Sequence, residues 1–156
     1  MSAPVVAVFA PDAAGHFAPM RAVIAGLAGQ GAQVHVFTAP RYARDVEAAG
    51  GRFVDLFGRR PVADADDESL PVVSRWVTYA AHYGEEVMRE VRELGASLVV
   101  YETFAVIGRA VAIGLGLPYV NVAISHNLAP GPYIESIKRE RRIVTSDRCL
   151  RAVGRT

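Results

Sequence analysis

Short apolar runs alternate along this chain with longer stretches in which apolar residues recur every three or four positions. The runs are Val5 to Ala10, Gln33 to Thr38, Arg52 to Leu56, Ser97 to Tyr101 and Tyr119 to Ile124. They are brief, nearly continuous and rich in valine, which predicts parallel strands buried on both faces. Met20, Val23, Ile24 and Leu27 predict a first helix that Gly29 and Gly31 end. Pro40 opens a short helix in which Tyr42, Val46 and Ala49 share a face, and Gly50-Gly51 closes it. The longest helix carries Val73, Trp76, Val77, Ala80, Val87, Val91 and Leu94 as its apolar stripe, with Asp67 or Ser69 as cap and Gly95 as stop. Gly84 near its middle predicts a kink, because glycine weakens a helix interior. A fourth helix runs from Phe104 to Leu115, and the polar stretch from Phe57 to Ser69 reads as a surface loop. Strands alternating with helices in this way define an α/β protein with a Rossmann-like open parallel sheet, right-handed crossovers and helices on both faces.

Composition sharpens this picture. The chain has 156 residues, 51% of them apolar, enough for one soluble domain with a real core. The opening residues lack the pattern of a signal peptide, and no apolar run reaches the ~18 residues of a spanning helix. Cys149 is the single cysteine, which excludes an internal disulfide and fits a reducing, cytoplasmic setting. The net charge of +1 conceals an asymmetry, since residues through Ile137 carry ten arginines against fourteen acids and those from Lys138 carry seven basic residues against two acids. Residues 1–137 are therefore expected to form the domain and 138–156 a basic tail, with a last short helix from Ile134 to Arg142. A short mixed-charge terminus is usually solvated, so no nucleic-acid partner is expected.

The chemistry concentrates at the end of the first strand, where Pro11-Asp12-Ala13-Ala14-Gly15-His16 leads into the first helix. Ligands of open parallel sheets bind outside the carboxyl ends of the strands. Free backbone donors and partial positive charge at a helix start favour a neutral imidazole, which can act as a general base if its other nitrogen is oriented. The same position also suits a polar residue with no role beyond the helix start. This turn has one glycine where a dinucleotide site needs G-x-G-x-x-G, and no phosphate-loop motif occurs, so NAD, FAD or ATP binding is unsupported. No bound cofactor and no metal are expected.

Several motifs in order resemble a known family. Gly15-His16-Phe17-Ala18-Pro19, Leu27, Gln30-Gly31-Ala32-Gln33-Val34 and Glu47-Ala48-Ala49-Gly50-Gly51-Arg52-Phe53 are similar to the opening of GT-B glycosyltransferases that use nucleotide-diphosphate sugars. Val99-Val100-Tyr101-Glu102-Thr103-Phe104, Gly108-Arg109-Ala110 and Gly116-Leu117-Pro118 resemble bacterial macrolide and antibiotic-type members of the UDP-glycosyltransferase family in particular. The resemblance implies the N-terminal, acceptor-binding half of an inverting enzyme of natural-product biosynthesis. A sugar would pass from a nucleotide-diphosphate co-substrate to a hydroxyl of a small apolar acceptor. It further implies that His16 is the catalytic base and that Glu102 orients it, at a position where the family more often carries aspartate. Glu102 could equally cap the next helix. Phe17, Met20, Trp76, Tyr79, Thr103, Phe104, His126 and Asn127 are the expected acceptor contacts. His35, inside a strand, reads as structural.

The resemblance also sets expectations about what this chain lacks. The family's donor-binding segments do not occur in it, so activity is expected only with a donor-binding domain or partner subunit. The sheet edge left open invites another strand or a second copy of the chain. The alternative is a non-catalytic remnant that binds a ligand or a partner; a flavodoxin-like nucleotide module is a more distant one.

Overall fold

The computed structural model describes residues 3–65 and 72–124. His126, Asn127, Cys149, the basic tail, the short helix expected from Ile134 and the cap candidates Asp67 and Ser69 lie outside the described residues.

Five parallel strands appear where the apolar runs predict them: β1 Val5–Phe9, β2 Gln33–Thr38, β3 Arg52–Asp55, β4 Leu98–Glu102 and β5 Tyr119–Val122. Their order across the sheet is β3-β2-β1-β4-β5. The chain steps outward from β1 to β3 and then returns to the other side of β1, so the strand order reverses between β1 and β4. Helix α1, Ala14–Gly29, links β1 to β2. One turn of 3-10 helix, Pro40–Tyr42, leads into α2, Ala43–Ala48, which links β2 to β3. Helix α4, Val72–Glu93, leads to β4, and α5, Val106–Leu115, joins β4 to β5.

Register determines which helix each strand residue meets. Val8 pairs with Val36 on β2 and Val100 on β4, while Phe9 pairs with Phe37 and Tyr101. Successive side chains point to opposite faces, so these rows lie on opposite sides of the sheet. The Val36 row faces α1 and α2: a Cβ placed on Gly51 would lie 3.0 Å from Ile24 Cγ2 and Val46 Cγ1 and 3.1 Å from Val36 Cγ2. The Phe9 row faces α5, whose Gly108 comes so close that a Cβ there would lie 2.8 Å from Tyr101 Cβ and 2.9 Å from Phe9 Cβ. Phe9 and Phe37 stack with ring centroids 4.6 Å apart, and both are fully buried. Burial of such side chains, each contributing about 1.5–3 kcal/mol, is the main source of stability.

Two sequence expectations are corrected, on the loop after Phe57 and on the start of the helix after β4. The loop after Phe57 holds a short helix, α3 Val62–Ala65, because residues 57–61 are fastened to α4 rather than left in solvent. Gly84 lies inside one continuous helix, α4. Helix α5 begins at Val106 instead of Phe104, since Ala105 N–H bonds back to Glu102 O at 2.8 Å and closes a turn first. Among the described residues β3 and β5 form the sheet edges, and Tyr119 and Val120 on β5 are 44% and 50% exposed.

Candidate active site

His16 is the third residue of α1, directly above the carboxyl end of β1. Glu102 is the last residue of β4, beside β1. It lies two positions beyond Val100 and therefore on the face that α1 covers. The strand reversal and the side-chain alternation thus bring the two together at the switch point of the sheet. His16 Nδ1 stands 3.2 Å from Glu102 Oε1. Glu102 is 1% exposed, and the His16 side chain 30%. Because Nδ1 itself is buried, the exposed part of the ring is its other edge, which carries Nε2.

The carboxylate divides its two oxygens. Oε2 accepts the Phe104 backbone N–H at 2.9 Å, as expected of an anion at the start of a helix. Oε1 faces the imidazole. Distance and direction disagree for that contact: 3.2 Å is within hydrogen-bond reach, yet the Nδ1–H direction is not aligned on the oxygen, and Nδ1 has no hydrogen-bond partner among the described residues. Aligning the pair takes a rotation of the ring about its torsion, and catalytic hydrogen bonds often align only once substrate binds. The Phe104 ring meets the imidazole edge-on, 4.8 Å away at 77°, and restricts that rotation.

The other expected acceptor residues divide by burial. Thr103 and Phe104 sit in the turn after β4 and are partly exposed beside the pair. Thr103 donates to Asn121 Oδ1 at 3.3 Å, tying this turn to β5. Phe17 is buried and stacks on Tyr42 at 4.1 Å between centroids, while Met20 is fully buried in the core below it. Trp76 is half-buried and meets Phe57 edge-on at 6.0 Å. Tyr79 is 1% exposed and donates its hydroxyl to Arg60 O at 3.0 Å; burial raises its pKa. His35 has its pKa lowered by burial and then by Arg52, the residue across from it on β3.

Two charged groups escape sequence reasoning. Arg60 lies in a polar stretch that reads as surface, yet it is 1% exposed, with Nη2 2.8 Å from Glu86 Oε1 and 2.9 Å from Glu90 Oε1. Arg41 reaches back to Asp12, its Nε 2.6 Å from Oδ1 and its Nη2 donating to the Asp12 carbonyl at 3.0 Å. The available signal for the second pair is topological: neighbouring parallel strands β1 and β2 place the residues that follow them on one rim. Among the described residues no group of three histidine, cysteine or acidic side chains could hold a metal ion, and no helix is long and apolar enough to cross a membrane.

A buried carboxylate facing a histidine at the switch point of a five-stranded parallel sheet defines a Rossmann-like protein with the means for proton transfer. No protein-family model matches the sequence, and no curated protein matches it significantly. Solved structures do. The calicheamicin glycosyltransferase CalG4 superposes with a TM-score of 0.74 at 21% identity over 98% of this chain and 40% of its own. The glycotransferase of kitacinnamycin gives 0.73 at 17% identity, over 99% of this chain and 39% of its own. SnogD from Streptomyces nogalater gives 0.66 at 21% identity, over 93% and 41%. The chain has the fold of one Rossmann-like half of a GT-B glycosyltransferase, in keeping with an N-terminal domain. It spans about two-fifths of the length of these structures, 39% to 41%.

Proposed function

We propose that residues 1–137 are the acceptor-binding half of an inverting glycosyltransferase of the natural-product type, completed by a donor-binding domain or subunit. The observation that carries this reading is the pair at the switch point, with Nδ1 3.2 Å from a buried carboxylate oxygen and the opposite ring edge open to solvent. In the reaction, Nε2 of His16 takes the proton of the acceptor hydroxyl. The freed oxygen lone pair forms the new bond to the anomeric carbon, and the sugar–phosphate bond breaks with its electron pair leaving on the nucleotide diphosphate. Attack opposite the leaving group inverts the anomeric centre. Glu102 holds the ring with Nε2 outward and offsets the charge the imidazole acquires. Of the expected acceptor residues that are described, Thr103, Phe104 and Trp76 keep surface to meet an apolar acceptor, and Phe17, Met20 and Tyr79 lie within the core. The single cysteine of the chain is in keeping with a reducing cytoplasm.

The test joins this chain to a donor-binding domain and measures sugar transfer from a nucleotide-diphosphate sugar. His16→Ala is expected to lower kcat by about 10²–10⁴-fold, the usual contribution of a positioned base. Glu102→Gln, which keeps an acceptor for Phe104 N–H but removes the charge, is expected to cost about tenfold or more and to leave acceptor binding in place. Transfer at the unaltered rate by His16→Ala refutes the assignment. A second reading, a non-catalytic ligand- or partner-binding domain, is favoured by the misalignment of His16 Nδ1 on Glu102. Acceptor binding without transfer in the joined protein, unaffected by His16→Ala, would establish it.

A further inference from the structure

Helix α1 starts without the usual local anchors. Its N-cap is Ala13, which has no side chain to bond the first turn, and no acidic residue lies in that turn. Yet the placement of this turn decides where the imidazole of His16 stands. The only side chain of the described residues bonded across to residues 11–13 is Arg41, from the turn that follows β2. Its guanidinium grips Asp12 twice, at the carboxylate and at the backbone carbonyl. Its Cζ also lies 4.9 Å from the centroid of the Tyr42 ring, and Tyr42 stacks in turn on Phe17, the neighbour of His16. Asp12, Arg41, Tyr42 and Phe17 thus close a ring of contacts around the segment that carries the histidine.

We propose that Arg41 is a positioning residue for His16: by holding Asp12 and backing Tyr42, it fixes the turn between β1 and α1 so that the imidazole meets Glu102. This rests on the reading of His16 as the base. Arg41 and Asp12 are 57% and 37% exposed, so their pairing contributes little to global stability and the variants fold. The effect falls on geometry, where misplacement by about 1 Å costs up to 10²-fold in rate.

The experiment compares Arg41→Ala, Arg41→Lys and Asp12→Ala. On the full chain with 15N-labelled histidine, Arg41→Ala is expected to shift or broaden the ring-nitrogen resonances of His16 with the unfolding midpoint unchanged. In the protein joined to a donor-binding domain, it is expected to lower kcat about tenfold with the acceptor KM within twofold. Arg41→Lys restores most of the rate. Asp12→Ala falls between the two, because the bond to the Asp12 carbonyl survives. Unchanged His16 resonances in Arg41→Ala overturn the proposal, whatever happens to the rate, since a rate loss alone would then mean contact with substrate. If His16→Ala itself transfers sugar normally, the base reading fails, while the resonance shift still reports whether Arg41 places the turn.

Discussion

Helix α5 rests on the sheet through Gly108, and adding a single methyl there tests the packing that holds Glu102 in place. In Gly108→Ala the new Cβ would lie 2.8 Å from Tyr101 Cβ and 2.9 Å from Phe9 Cβ and Cδ2. Carbon atoms in contact prefer about 3.5–4.0 Å, so the overlap approaches 1 Å. Two of the three atoms are Cβ atoms fixed to strand backbone, and no rotamer change removes them. The helix itself must shift, at a cost in the upper part of the range usual for an overpacked core, about 2–3 kcal/mol. Alanine returns up to about 1 kcal/mol as the better helix former, leaving a net loss of about 1–2 kcal/mol. For a domain of this size that lowers Tm by about 2–8 °C. Because the turn before α5 supplies the Phe104 N–H to Glu102, the same shift should disturb the carboxylate facing His16. The control is Gly84→Ala in α4, where a Cβ meets nothing within 4 Å among the described residues and helix propensity is the main term. It is expected to gain about 1 kcal/mol. Urea unfolding followed by circular dichroism and by the single tryptophan, Trp76, measures both. Equal or greater stability of Gly108→Ala, or a loss of similar size in Gly84→Ala, refutes the reasoning.

Arg60→Met removes the buried cation between Glu86 and Glu90 and leaves, among the described residues, Arg59, 2.9 Å from Glu90 Oε1. A loss of about 2–3 kcal/mol is expected, below the range for fully buried pairs because Glu86 is half exposed. Release of residues 57–61 should shift Trp76 emission to the red, and unchanged stability and emission would show that the network does not hold this segment. His35 predicts a pH effect: its folded pKa lies below the unfolded value of 6.5, so the unfolded chain binds more protons between the two. Its contribution is complete above pH 6.5 and is lost as pH falls through the folded pKa. Replacement by glutamine should flatten the fall in urea midpoint between about pH 7 and pH 5, and an unchanged slope would assign that fall elsewhere.

The hydrophobic pattern located all five strands to within a residue or two, because a strand buried on both faces must be apolar throughout, and it put His16 at a strand end by position alone. It also contained the reason Glu102 rather than Tyr101 faces α1, since alternation along β4 is a property of any strand. Tertiary structure decided the rest. Only the order β3-β2-β1-β4-β5 makes β4 a neighbour of β1 and brings two residues far apart in sequence to 3.2 Å. Met20 and Tyr79, expected from the resemblance as acceptor contacts, are shown as core residues only by the packing of α1 and α4. Arg60 and Arg41 gave no local signal, because an arginine in a polar segment looks the same whether it ends in water or on a carboxylate. Periodicity and propensity act over a few residues and are written in the chain. Strand neighbours, buried charges and the fastening of the His16 turn arise where distant segments cover each other's apolar faces, and that the assembled fold alone determines.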